Sequence, residues 1–306
     1  MGLHSPGRQS AGTRWVLLGT MAIWGLNLPV MKLLLPVFGT LGTSVLRMLC
    51  GCALFSLVAW WGQRAWPRLS TRQWAELALC GAAMVYVNQI LLMQGMRRTT
   101  ATNASLIMAL NPLLSSLLAA ATLGVPITAL RWLGLALGFG GVSLVVLHRP
   151  DAALSGGGLG DLLVLGASLS WVVGGVLLQR LGQPHSKRAG APLETTVASW
   201  GLNLAGTAML VLHLAVSGES VPAPGATVTP GLVALLIGSG LLATAVGGLI
   251  WNRAVVLQGM AHASLYVYWV PIFGVGFSTL LLGEPFTVWH LLGLGMVLGG
   301  TWLGTR

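Results

Sequence analysis

The sequence predicts an all-α membrane protein of ten transmembrane helices, arranged as two inverted five-helix repeats. Three observations carry that expectation. Only 7% of the 306 residues are charged and 55% are hydrophobic, giving a mean hydropathy of +0.82. Ten apolar runs of membrane-crossing length follow one another along the chain. The second half repeats landmarks of the first at a nearly fixed offset.

A soluble domain needs a charged shell of about a quarter of its residues, and six acids with sixteen bases cannot supply one. A soluble enzyme, a secreted disulfide scaffold and a disordered regulator are thereby excluded. Strands of a membrane barrel alternate apolar and polar over about ten residues, whereas these runs are unbroken. The net charge of +10 does not imply a nucleic-acid partner, because the bases stand singly or in twos and threes between apolar runs, as topology signals do. Cys50, Cys52 and Cys80 lie inside apolar runs without metal-site spacing, so no metal and no cofactor is expected. The first run, Trp15 to Pro36, is too long for a signal peptide and reads as a retained helix.

A crossing helix needs about 20 apolar residues. Arg, Pro and Gly-rich punctuation divides the chain into runs at 15–36, 40–62, 74–95, 101–123, 130–147, 160–180, 194–216, 231–252, 262–282 and 288–305. With the N-terminus inside, 11 Lys and Arg fall on inner segments, among them Arg64, Arg68, Arg72, Lys187 and Arg188. Lys32, Arg97, Arg98 and Arg149 fall on outer ends, and Arg47 lies within the second helix. This bias places both termini in the cytoplasm.

Shifting the chain by 159 residues overlays the fourth helix on the ninth. Ala104, Ser105, Leu106 and Pro112 meet Ala263, Ser264, Leu265 and Pro271. Further on, Gly134, Gly140 and Gly141 meet Gly293, Gly299 and Gly300. A shift of 147 places Gly19 and Trp24 on Gly166 and Trp171. The repeats are expected at 14–148 and 160–306, after a cytoplasmic tail 1–13 and around a linker 149–159. Five helices per repeat is an odd number, so the second copy enters from the opposite side; such inverted pairs mark transporters.

The pattern resembles the bacterial drug/metabolite transporter superfamily, specifically its EamA-type permeases, from Trp15 to about Gly304. The carriers are AIWGLN in the first helix, TSVLR in the second, ASLIMALNPLLSSLLA in the fourth and ASLYVYWVPIFGVGFSTLLLGEPFT through the ninth. The family's Gly-Glu step is present as Gly283-Glu284 but has become Gly124-Val125 in the first repeat, which puts a role needing both glutamates in doubt. The resemblance implies ten helices in two repeats, a bacterial inner-membrane location, and outward movement of amino acids, sugar derivatives, purines or amphipathic drugs. The chain is most similar to amino-acid exporters, including the aromatic type.

Candidate site residues follow from helix breaks and deep polar groups. Pro112 and Pro271 each remove a helix hydrogen bond and free a carbonyl one turn back, at Met108 and Val267. Repeat-related breaks near the midplane point to a solute site and make these prolines candidate hinges; a kink relieved by a neighbouring helix is the alternative. Trp24, Trp171, Trp200 and Trp269 lie deep, while Trp15, Trp60, Trp61, Trp66, Trp74, Trp132, Trp251, Trp289 and Trp302 fall near run ends and read as the interfacial belt. A deep indole N–H needs a cavity water or a carbonyl. The deep polar set is Asn27, Tyr86, Asn88, Asn111, Asn203, His213, Tyr266 and Tyr268. Such groups are either functional or interhelical glue of roughly 0.6–2 kcal/mol each. The residues taken as solute-binding are Trp24, Asn27, Tyr86, Asn88, Met108, Asn111, Trp171, Tyr266, Tyr268 and Trp269, around a central cavity between helices one, three, four, six and nine. Arg47 either meets a solute carboxylate or snorkels outward, and its place near the outer end favours snorkelling. Small-xxx-small pairs Gly134/Gly138 and Gly295/Gly299 are expected to pack the last helices of the repeats.

No acid lies deep in any run, no ATP-binding loop is present, and intramembrane hydrolase motifs are absent. The expected activity is therefore not enzymatic. It is secondary export of small metabolites, amino acids first, by alternating access. Export of amphipathic drugs or toxic cations is the same-fold alternative; an intramembrane enzyme or a channel is the alternative from another class. Expected partners are the solute and membrane lipid, with the protein a monomer or homodimer.

Overall fold

The computed structural model describes residues 11–63, 69–99, 104, 107–124, 126–148, 158–182, 193–282 and 287–305. Every regular element among them is helical, with no strand. In chain order these are α1 (Ala11–Phe38), α2 (Thr40–Gln63), α3 (Thr71–Met96), α4 (Asn111–Leu123) and α5 (Ala129–Leu147). They continue as α6 (Leu159–Gly182), α7 (Thr195–Ser217), α8 (Pro230–Gln258), α9 (260–282) and α10 (Val288–Gly304). Six of them, α2, α3 and α5 to α8, are long and apolar enough to cross a membrane, and α4 and α10 are shorter apolar helices. The N-terminal tail to residue 10, Arg64, Arg68, Arg149, Lys187, Arg188 and Gly283-Glu284 lie outside the described residues, as does most of the linker.

Helix starts follow local chemistry. Ser70 accepts the Gln73 N–H at 3.3 Å while the Gln73 side chain accepts the Ser70 N–H at 2.9 Å, a reciprocal cap that satisfies two orphan donors. Thr128 and Thr229 cap α5 and α8 through Arg131 N and Leu232 N, each at 3.3 Å. His290 Nδ1 accepts the Thr287 N–H at 2.9 Å at the start of α10.

Two helices carry wide π turns. Ala82–Val87 in α3, shifted by 159 residues, falls on 241–246, inside the Ser239–Val246 turn of α8 and ending with it. The proline-marked breaks also coincide. α4 starts at Asn111 after a turn at 109–110, and α9 passes from a tight 3-10 segment, Ser264–Tyr268, to α-helix at Trp269. Both prolines thus sit in the first turn after an irregularity, where a missing N–H costs least, rather than within an uninterrupted helix.

The closest packing runs through glycine. A Cβ on Gly134 of α5 would lie 2.7 Å from the Gly300 carbonyl oxygen of α10, and one on Gly141 would lie 2.7 Å from that of Gly293. Gly138 lies under the Tyr268 ring, which a Cβ would approach to 2.3 Å. On α10 the contacting face is not the Gly295/Gly299 face that the spacing predicts: among the described residues nothing lies within 4 Å of a Cβ on Gly295 or Gly299. The contact stripe is Gly293, Gly300 and Gly304. Gly81 of α3 similarly abuts Leu202 and Gly206 of α7, while Gly240 of α8 abuts Arg47 and Cys50 of α2.

Helix neighbours pair off in a regular way. α5 packs on α10 and α2 on α7; α1 packs on α9 as α6 packs on α4; α3 packs on α6 as α8 packs on α1. The main apolar core joins Met21, Leu77, Met84, Val172, Trp251 and Met260.

Candidate functional site

α1, α6 and α8 each bring a tryptophan to one point in this core. Trp171 stacks on Trp251 at 4.7 Å between ring centroids with planes 22° apart. Trp24 meets Trp171 edge-on at 6.5 Å and Trp251 at 5.6 Å. The rings touch, so this crossing is closed. The Trp24 indole donates to the Ala243 carbonyl at 3.0 Å, inside the π turn of α8, where the wider turn loosens the helix's own bonding. Trp251, read from the sequence as an interfacial residue, is 1% exposed. Its run continues to Gln258, which moves it about two turns inside the helix. Its indole N–H has no hydrogen-bond partner among the described residues.

α4 presents two further unpartnered groups one turn apart. Asn111, 5% exposed, has a buried amide oxygen without a partner among the described residues, and the buried Ser115 hydroxyl has none there either. Each such atom bears a desolvation cost of about 1–3 kcal/mol that a solute or a water would relieve. Met108 is half-buried, just before the turn at 109–110 that leads into α4.

The remaining sequence-selected residues divide between helix contacts and this region. Asn27 accepts from Ser239 Oγ at 2.5 Å. Asn88 donates to the Ala167 carbonyl at 2.9 Å and so ties α3 to α6. Tyr86 Oη and His213 Nδ1 are 3.3 Å apart at a recess of about 310 Å³ that Met209, Leu212 and Val216 complete. Tyr266 is buried in the same main core that takes in the three tryptophans. Tyr268 instead packs between α9 and α5, its hydroxyl donating to the Leu135 carbonyl at 3.2 Å. Trp269 turns toward α10 and donates to Thr301 Oγ1 at 3.2 Å. Trp200 donates to Ser56 at 3.0 Å and packs edge-on against Trp74 at 5.5 Å. Asn203 donates back to the Ser199 carbonyl at 2.9 Å.

Arg47 does not snorkel. It is 6% exposed and its Nε donates to Ser239 Oγ at 2.7 Å. Ser239, which joins Asn27 to Arg47, was not selected from the sequence; a serine among apolar residues gives no signal until the π turn aims it. Gln179 was also missed. Its side-chain oxygen accepts the Met260 N–H at 2.7 Å, just after Gly259 takes φ +85° to turn α8 directly into α9. A shift of 159 residues places Leu92 on Trp251, so comparing the two halves of the sequence could not reveal it.

Among the described residues no group of three His, Cys, Asp or Glu could hold a metal, and none of the buried charged residues is acidic. The arrangement offers aromatic walls, isolated amide and hydroxyl anchors and one oriented guanidinium.

The family model for EamA-like transporters matches residues 13–147 and 158–306. The chain is 27% identical over 292 residues to a probable terminal-alkyne amino-acid exporter of Streptantibioticus cattleyicolor, covering 95% of this chain and 93% of that one. It is 28% identical over 211 residues to the uncharacterised transporter YyaM of Bacillus subtilis, covering 67% of this chain and 65% of that one. A solved crystal structure superposes with a TM-score of 0.76 at 15% identity, covering 97% of both chains, which shows a shared fold. Two family matches that together span nearly the whole chain decide the matter: this protein belongs to the EamA-like transporter family.

Proposed function

We propose that the chain is a secondary transporter that exports small metabolites, amino acids first, across the bacterial cytoplasmic membrane by alternating access. Its two five-helix units, 14–148 and 160–306, are inverted repeats, and both termini are cytoplasmic. The neighbour pairs support this reading, because exchanging each helix with the one five places on turns the six pairs named above into one another. The matched π turns support it as well.

The observation that carries the proposal is the meeting of Trp24 with its repeat mate Trp171, over the buried Trp251. Repeat-related residues that touch lie on the axis relating the repeats, which is where transporters of this kind bind solute. The solute site is formed by Trp24, Asn27, Trp171, Asn111, Met108 and Tyr266, with Tyr86 and Asn88 on the adjoining face of α3. The prolines of α4 and α9 are its hinges. Tyr268 and Trp269 serve by fixing α9 against α5 and α10. An amphipathic or zwitterionic solute suits aromatic walls with few polar anchors. The absence of a buried acid among the described residues argues against a cation specialist.

The test is counterflow in proteoliposomes across the twenty amino acids. Saturable uptake of labelled solute driven by unlabelled solute inside is expected. Non-saturating flux would identify a channel, and chemically altered solute an enzyme.

A further inference from the structure

We propose that Arg47 is the anchor for the carboxylate of the solute. Thr40, Ser44 and Arg47 stand on one face of α2, at positions i, i+4 and i+7. The first two line a small recess with Leu41, Ile90, Met93 and His213. Arg47 lies one turn deeper, about 10 Å along the helix axis from Thr40. The recess sits at the end of the bundle that carries the α1–α2 turn and Glu219.

The guanidinium is oriented but not neutralised. Its Nε is held by Ser239, and Ser239 is held by Asn27, at 2.7 and 2.5 Å. That contact uses one edge of the fork and fixes its plane. The two terminal nitrogens make no hydrogen bond among the described residues, and no carboxylate there pairs with them. A buried cation without a counter-ion is strongly unfavourable. The terminal nitrogens of a fixed guanidinium match the two oxygens of a carboxylate. Ser239 belongs to the π turn that also supplies the Ala243 carbonyl to Trp24. One widened turn of α8 therefore sets both the charged anchor and an aromatic wall.

This inference rests on the amino-acid reading above. The experiment measures counterflow of L-phenylalanine and L-leucine against their decarboxylated counterparts, 2-phenylethylamine and 3-methylbutylamine, in proteoliposomes of the full chain. The wild-type protein should favour each acid over its amine by about tenfold or more. Arg47→Gln should raise the half-saturating acid concentration by about tenfold and leave the amine within about twofold. Arg47→Lys keeps the charge but loses the fork, so it should retain the preference with weaker acid binding. It serves as the variant of record if Arg47→Gln fails to fold. A wild-type protein that treats acid and amine alike, or a folded Arg47→Gln protein that still discriminates, overturns the assignment and leaves the amino-acid reading standing. Absence of counterflow for every amino acid overturns both.

Discussion

Trp24 and Trp171 stand 147 positions apart in the chain and meet edge to face, with ring centroids 6.5 Å apart and planes at 69°. They are the two tryptophans that a 147-residue shift of the sequence overlays, and in the fold α1 and α6 bring them into contact. Trp251 completes the cluster from α8 without an aromatic counterpart in the first half.

Removing this wall should impair transport more than folding. Trp171→Ala and Asn111→Ala are expected to lower transport while leaving membrane insertion largely intact. A lost aromatic contact or solute hydrogen bond costs about 1–3 kcal/mol, or roughly five- to a hundredfold in affinity. Trp302→Ala, at a site 52% exposed, should transport nearly normally. Equal losses in Trp302→Ala and Trp171→Ala at matched protein levels would mean that the deep indoles are structural.

The α5–α10 contact makes a sharper prediction about stability. Gly300→Leu should reduce folded yield, because even a Cβ there falls 2.6 Å from the Gly138 nitrogen; overpacking typically costs about 1–3 kcal/mol. Gly299→Leu has open space within 4 Å and should express like the parent. Size-exclusion profiles of the two detergent-solubilised variants decide this, and a reversed order would refute the packing face.

Gln179 closes the one-residue junction between α8 and α9. Gln179→Ala strands the Met260 N–H in a buried position, at a cost of about 1–3 kcal/mol. The thermal midpoint of the purified protein should fall by several degrees. Gln179→Glu retains an acceptor and should recover part of that loss at neutral pH. An unchanged midpoint in Gln179→Ala would show that the cap is dispensable.

Orientation can be read by labelling. Lys187→Cys should react with an impermeant thiol reagent only after cells are opened. Glu219→Cys, in the exposed segment between α7 and α8, should react in intact cells. The native cysteines are buried or half-buried, so background should be low. Labelling of Lys187→Cys in intact cells would invert the topology.

Much of the helical layout was legible because the bilayer forces long apolar runs, and Gly134 and Gly138 were read on the right face. Gly295 and Gly299 were not. α10 carries glycine on several sides, so spacing alone does not choose a face; carrying Gly134 and Gly141 forward by 159 residues gives Gly293 and Gly300, the pair that does make contact. Arg47 was misread because its alternative to snorkelling depended on Ser239, whose direction is set by a wide turn that no residue type announces. Trp251 was assigned to a helix end because the run was closed at 252, six residues before the observed end. The polar contacts of Arg47 were therefore hidden where helical geometry departs from regular, while the two tryptophans overlaid by the 147-residue shift are found in contact.

The wide turns of α3 and α8 have a further consequence. Each accommodates an extra residue per turn relative to an α-helix, which offsets everything beyond it by about 100° around the axis. It is the helical counterpart of a dislocation in a crystal: order is intact on either side, but the two lattices are out of phase. In α8 this phase slip begins at Ser239, which holds Arg47, and ends before the segment that carries Trp251. Displacing such a defect by one residue would rotate only the segment it passes, so a side chain could be re-aimed without melting the rod that carries it.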